Sequence, residues 1–227
     1  MPNVLITGAN RGLGLELARQ YAAEGWRVFA ACRRPEAAAG LRGLAGSVLP
    51  IALDVTDRAG IAHAAAALGD IAIDVLINSA GIYGGRAQGF GQVDDRDWAR
   101  VLDVNTIGPL RVTEAFLEHV ARSERRLVVT ITSGMGSLAD NSSGGAIAYR
   151  SSKAAVNMVM RCAAIELRPR GIACVLINPG WVRTDMGGAG ATLSPEESVG
   201  AMRRLIATLG PAQSGRFFNH DGREYPW

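Results

Sequence analysis

The feature that most constrains this 227-residue chain is an alternation repeated along its length: short apolar runs separated by longer helical patterns. The runs are NVLIT at 3–7, RVFAAC at 27–32, VLPIAL at 48–53, DVLIN at 74–78, LVVTIT at 127–132 and ACVLIN at 173–178, with a shorter one, RFFN, at 216–219. They are β-rich and apolar on both faces, as strands buried in a parallel sheet should be. Helical patterns cover about 12–24, 57–68, 95–122 with a break near Gly108-Pro109, 149–168 and 195–208. This order predicts an α/β fold. The expectation is a single Rossmann-type domain over 1–227, a doubly wound parallel sheet of about seven strands with helices on both faces.

Composition narrows the partners. The net charge of +3 is mild, and Arg33-Arg34, Arg125-Arg126 and Arg203-Arg204 are scattered pairs that form no basic run. A nucleic-acid partner is not expected. Cys32, Cys162 and Cys174 are odd in number and show no CxxC spacing, which fits a reducing compartment. Met1-Pro2 leads straight into an apolar strand pattern, and no apolar stretch is long enough to span a bilayer. The expectation is a cytoplasmic protein without a membrane partner. His63, His119 and His220 lie far apart and no Cys or carboxylate pattern joins them, so no metal site is expected.

Two later segments have clear local readings. In LSPEESV, Ser194 fits an N-cap, Pro195 the first helical position and Glu197 the reciprocal capping-box residue. The preceding TDMGGAGATL is glycine-rich and expected to be mobile. Composition alone allows it to be a substrate lid or an ordinary surface loop.

Three stretches carry chemistry. VLITGANRGLG places Gly8, Gly12 and Gly14 between a strand and a helix, spaced G-x-x-x-G-x-G. Glycines there let backbone approach a pyrophosphate, and the helix N-terminus offers free N–H donors. Alone, such a turn also serves as a plain strand-to-helix loop. The second strand ends AACRRPE, with Arg33 where an NAD enzyme usually places an acid for the ribose 2′-hydroxyl. An arginine fork suits a 2′-phosphate instead. In YRSSK, Tyr149 and Lys153 share a helix face at i and i+4. A nearby cation favours the phenolate and lowers the tyrosine pKa, which suits a general acid for a carbonyl oxygen.

Taken together, these residues resemble a short-chain dehydrogenase/reductase over essentially the whole chain. TGANRGLG resembles the family's T-G-x-x-x-G-x-G cofactor turn, which brings Gly8, Asn10, Arg11, Gly12, Leu13 and Gly14 to the cofactor. LDVTD resembles the adenine-contacting segment, with Asp54 and Val55. NSAG resembles N-N-A-G, with Asn78, Ala80 and Gly81 at the cofactor and Ser79 replacing the second Asn. NPGWVRTDM resembles the P-G segment, where Pro179, Gly180, the Val182 backbone and the Thr184 hydroxyl would meet the nicotinamide end. Asn105, Ser133, Tyr149 and Lys153 fall where the family's catalytic tetrad belongs. PGWVRTDMGG, LSPEESV and DGREYPW resemble the branch of C-factor-like and sniffer-like carbonyl reductases. One departure is the longer Gly/Ser-rich stretch between Ser133 and Tyr149, which should alter the pocket wall.

The resemblance implies an NADP(H)-dependent carbonyl reductase that prefers NADP(H) over NAD(H). Hydride would pass to the carbonyl carbon and a proton from Tyr149 to the oxygen. Ser133 would position that oxygen, Lys153 would hold the nicotinamide ribose, and Asn105 would hold a water behind Lys153. A homodimer or homotetramer through the helices near 106–122 and 149–168 is compatible with it. The alternative is a dinucleotide-binding signalling or sensor protein of the C-factor type with little turnover. An epimerase or dehydratase is disfavoured by the short chain. A hydrolase elbow is unsupported because Ser133 is not in G-x-S-x-G.

Overall fold

The computed structural model describes residues 1–227. The strands are β1 (Asn3–Thr7), β2 (Arg27–Cys32), β3 (Ser47–Ala52), β4 (Val75–Asn78), β5 (Leu127–Ile131), β6 (Ala173–Asn178) and β7 (Phe217–Asn219). All pair in parallel, in the order β3-β2-β1-β4-β5-β6-β7. The helices are α1 (Gly12–Ala23), α2 (Ala39–Arg42), α3 (Arg58–Ala67), α4 (Asp95–Leu102), α5 (Gly108–Ala115), α6 (Leu117–Ala121), α7 (Ile147–Glu166) and α8 (Pro195–Thr208). The short α2 carries no sequence signal of its own. No helix is long and apolar enough to cross a membrane.

Side chains alternate across each strand, so the sheet has two cores. On one face Val4, Ile6, Val75 and Ile77 pack with Leu17 and Tyr21 of α1 and Met202 and Ile206 of α8. On the other, Leu5, Leu76 and Val128 pack with Ile61 of α3, Phe116, which follows α5, and Val156 and Met160 of α7. This confirms the doubly wound reading. One strand departs from it. β3 was expected to be buried on both faces, but Leu49 is 37% exposed and Pro50 is exposed. β3 lies at the sheet edge, where a missing N–H is tolerated.

The break expected near Gly108-Pro109 is a π-helical turn, Asp103–Ile107, inserted between α4 and α5. The Gly108 N–H donates to the Asp103 carbonyl, five residues back. Pro109 has no N–H, so it cannot give the Asn105 carbonyl its α-helical partner. The proline sets an extra residue into the helix where Asn105 sits.

The sheet order reverses between β1 and β4, and the crevice at their carboxyl ends is where open α/β sheets bind ligands. Thr7 ties the two strands there. Its buried hydroxyl accepts from the Ser79 and Ala80 N–H groups at 3.0 and 3.1 Å.

Candidate active site

At the crevice β1 turns into α1 through Gly8 to Gly14. Gly8 has φ +68°, and a Cβ there would lie 2.8 Å from the Ala80 Cα. A Cβ on Gly14 would run into the Gly8 carbonyl. Both glycines are therefore required by backbone approaching backbone. Gly12 differs: a Cβ there meets only the Thr184 side chain, at 3.6 Å, so space remains between the turn and the 179–193 segment. α1 starts without a side-chain cap, which leaves N–H donors of its first turn free for an anion.

Around the crevice the predicted residues mostly converge. Asp54 accepts from the Thr56 N–H and hydroxyl at 2.9 and 2.8 Å, a turn at the end of β3. Val55 is buried against Gly108. Gly81 lies beside Asn105 and Lys153, since a Cβ there would be 3.3 Å from Asn105 Oδ1 and 3.7 Å from Lys153 Nζ. Pro179 accepts from the Ser198 hydroxyl at 2.7 Å, and Gly180 takes φ +79° against Leu193 and His220. Arg33 is exposed just past β2 and makes no ion pair. Arg11 pairs with Asp185 at 3.0 Å, which bridges the glycine turn to the opposite wall.

Two of the expected segments make contacts that local sequence does not specify. Asn78 does not turn its side chain to the crevice: it is 2% exposed and donates to the Thr113 and Thr130 hydroxyls. The 185–193 stretch is held by local contacts. Val182 bridges to Leu193, the Gly188 N–H donates to the Thr184 carbonyl at 2.9 Å, and Trp181 Nε1 donates to the Gly187 carbonyl at 2.9 Å. Gly187 serves close packing, since a Cβ there would collide with the Val182 carbonyl, while Gly188 takes φ +75°.

The tetrad residues lie together. Tyr149 and Lys153 sit in the first turns of α7, Ser133 follows β5, and Asn105 lies in the π turn. The Asn105 side chain is fully committed: Oδ1 accepts from the Ile82 N–H, and Nδ2 donates to the Ile82 carbonyl and the Ser152 hydroxyl, all within 3.0 Å. Ser152 in turn donates to the Tyr149 carbonyl at 2.7 Å. Lys153 Nζ has three donors and gives one to the Ile131 carbonyl at 3.1 Å, so a buried ammonium keeps donors for a ligand.

Electrostatics here run against the sequence expectation. The Tyr149 phenol is pushed up to about 12, chiefly by burial; a hydrogen bond with Ser133 works against this, and Tyr83 adds to it. Lys153 is not among the groups that lower it. Its Nζ sits over the phenol ring, 5.8 Å from the centroid, and burial pushes the ammonium itself down to about 8. This makes a stability prediction. From an ordinary 10.5 to about 8 in the fold, the unfolded chain holds this proton more tightly. Stability through this group therefore rises with pH over that interval. Lys153→Met should be more stable than wild type at neutral pH, by up to about 3 kcal/mol, with the gap closing above pH 8. Thermal melts of both proteins from pH 7 to 10 measure this; a constant gap contradicts it.

Four contributors lie outside the predicted site residues. Thr7 and Asn178 bind backbone across the crevice; Asn178 Oδ1 accepts from the Gly134 and Gly180 N–H groups at 2.9 and 3.3 Å. Tyr83 stacks on Tyr149 with ring centroids 4.9 Å apart. The C-terminus forms the outer wall of the long 134–146 loop: Tyr225 donates to Asp140 at 2.7 Å, and the Trp227 carbonyl accepts from the Ala139 N–H and Ser137 hydroxyl at 2.9 Å.

Comparison with known proteins places the chain in a family. The model of the short chain dehydrogenase family matches residues 2–192. The C-signal protein of Myxococcus xanthus is 52% identical over 155 residues, 68% of this chain and 93% of that protein. The NADPH-bound carbonyl reductase from chicken fatty liver is 36% identical with a TM-score of 0.93, covering 100% of this chain and 99% of that one. Carbonyl reductase Sniffer of D. melanogaster is 31% identical with a TM-score of 0.93, covering 100% of both chains. The chain belongs to the short-chain dehydrogenase/reductase family, in its C-factor-like and sniffer-like carbonyl reductase branch.

Proposed function

We propose that this protein reduces an aldehyde, ketone or quinone carbonyl to an alcohol, using NADPH. The observation that carries the reading is the convergence of Tyr149, Ser133, a buried Lys153 with free donors, and the glycine turn on one crevice. When bound, NADPH supplies the hydride that reaches the carbonyl carbon. Tyr149, whose phenol stays protonated well above neutral pH, gives its proton to the carbonyl oxygen. Ser133 holds that oxygen beside the phenol. Lys153 holds the nicotinamide ribose with its remaining donors. The Asn105 side chain is committed elsewhere, so its carbonyl is the group that holds a water behind Lys153.

The cofactor end is held by the 8–14 turn, with Asp54 and Val55 at the adenine and Pro179, Gly180, Val182 and Thr184 at the nicotinamide. Arg33, free of any ion pair, takes the 2′-phosphate. Arg11 must exchange Asp185 for the same phosphate, so it contributes less. A hydrogen bond to a charged group contributes roughly 1.5–3 kcal/mol, or about 10- to 100-fold in affinity. Arg33→Ala should raise KM for NADPH by that factor and leave KM for NADH nearly unchanged, with the wild-type preference falling as salt rises. Steady-state kinetics with both cofactors check it. Equal kcat/KM for NADH and NADPH in the wild type would sink the arginine assignment.

Three unpaired cysteines fit a cytoplasmic location. Met158 and Ile165, 65% and 58% exposed on α7, offer an apolar stripe for a second copy of the chain. The similarity to C-signal favours one other reading, a dinucleotide-binding signalling protein with little turnover. NADPH oxidation against a broad panel of aldehydes, ketones and quinones separates the two. Cofactor binding without any oxidation across the panel selects the second.

A further inference from the structure

The loop after β4 is exposed from Gly85 to Ala87 and again at Phe90, yet Gln88 within it is 4% exposed. Polar side chains are buried where their donors and acceptors are met. Here all are. Nε2 donates to the Tyr83 and Gly85 carbonyls at 2.9 and 2.6 Å, and Oε1 accepts from the Tyr149 N–H at 3.0 Å. The Gln88 carbonyl accepts from the Ile147 N–H at 3.0 Å.

These bonds fall on a helix that lacks its own start. The residue at the N-cap of α7 is Ala146, which has no side-chain acceptor and sits at φ +46°, a left-handed position that costs a non-glycine residue free energy. The first N–H groups of a helix have no partner within it and need an outside acceptor. Gln88 supplies two acceptors from across the fold, one of them, 61 residues away in sequence, to the N–H of Tyr149 itself. The same side chain holds the main chain of Tyr83, whose ring packs on the Tyr149 ring.

We infer that Gln88 is a positioning residue for Tyr149, a cap supplied from the β4 loop that sets both the start of α7 and the Tyr83 wall beside the phenol. The two ends of the side chain do separable work. The oxygen places the proton donor, and the nitrogen places the aromatic wall that a substrate would meet. This rests on the assignment of Tyr149 as proton donor, so the test includes a readout that needs no turnover.

Two variants separate the ends. Gln88→Met keeps the length and removes both functions. Gln88→Glu at pH 8 keeps an acceptor facing a helix N-terminus, where negative charge is favoured, but opposes the Tyr83 and Gly85 carbonyls. For Gln88→Met the expected result is a kcat lower by roughly 10- to 100-fold, the scale of a misplacement of about 1 Å. Its NADPH affinity stays within about twofold, and the Tyr149 amide exchanges at least about tenfold faster, as a lost cap implies. For Gln88→Glu the amide stays protected and kcat stays within about threefold, while KM for the carbonyl rises. Three results overturn the proposal: wild-type kcat in Gln88→Met, unchanged amide exchange in Gln88→Met, or parallel loss of kcat, KM and NADPH affinity in both variants. If Gln88→Met does not fold, Gln88→Glu decides by its split between KM and kcat. If the wild type reduces no carbonyl, the functional reading fails by itself, and the amide exchange still decides whether Gln88 caps α7.

Discussion

Tyr149→Phe is expected to lower kcat for carbonyl reduction by at least about 100-fold while NADPH still binds, because general acid catalysis contributes roughly 10²–10⁴ in rate. The structure makes this a clean substitution. Tyr149 is 8% exposed, and its ring rests against Tyr83 at 4.9 Å, a contact phenylalanine retains. The hydroxyl's partner Ser133 has other work, accepting from the Met135 N–H at 3.1 Å, so it is not orphaned by the change. Melting temperature should move little. Steady-state kinetics with a fluorescence titration of NADPH give both readouts. Retention of most of the activity sinks the assigned mechanism; loss of NADPH binding instead means that the phenol holds the cofactor and is not the acid.

Gly14→Val should abolish tight NADPH binding, with a loss above about 100-fold, or prevent folding. The cause is local and steric. A Cβ at this position meets the Gly8 carbonyl oxygen and lies 2.8 Å from the Gly8 carbonyl carbon and 3.1 Å from the Ala9 Cα. All three are main-chain atoms of the same turn and cannot swing aside. Gly14→Ala makes the same collision with a smaller group and should fold with a lowered melting temperature and weakened binding. Gly25→Ala is the control: its φ is +78° but nothing lies within 4 Å of its Cβ, so it should cost only about 1–2 kcal/mol and leave NADPH affinity unchanged. Wild-type affinity and melting in Gly14→Val would reduce 4–14 to an ordinary strand-to-helix loop.

Much of the molecule is written in local sequence. The central strands follow from short apolar runs, because burial on both faces favours apolar side chains at successive positions. The α8 start follows from Ser194 and Glu197, which meet as expected: the Glu197 N–H donates to Ser194 Oγ at 3.1 Å, and the Ser194 N–H donates to the Glu197 carboxylate at 2.7 Å. Four residues suffice for that signal, so sequence carries it whole. The glycine turn and the Tyr149–Lys153 pair are legible for the same reason, since all their parts lie within a few residues.

Tertiary structure decided the rest, where partners lie tens of residues apart. The Tyr149 environment is one case. Sequence places a cation one turn away and predicts a lowered pKa, but the fold buries both groups, and desolvation outweighs their proximity. Asn78 is another. Its motif position suggests a cofactor contact, while its side chain meets Thr113 and Thr130 from α5 and β5. The edge position of β3 depends on sheet order, which no single strand encodes. Gln88 is the extreme case, a glutamine in a polar glycine-rich loop that only topology brings to the start of α7. Periodicity, capping and glycine placement are short-range constraints, whereas burial and long-range hydrogen bonding exist only once the chain has closed on itself.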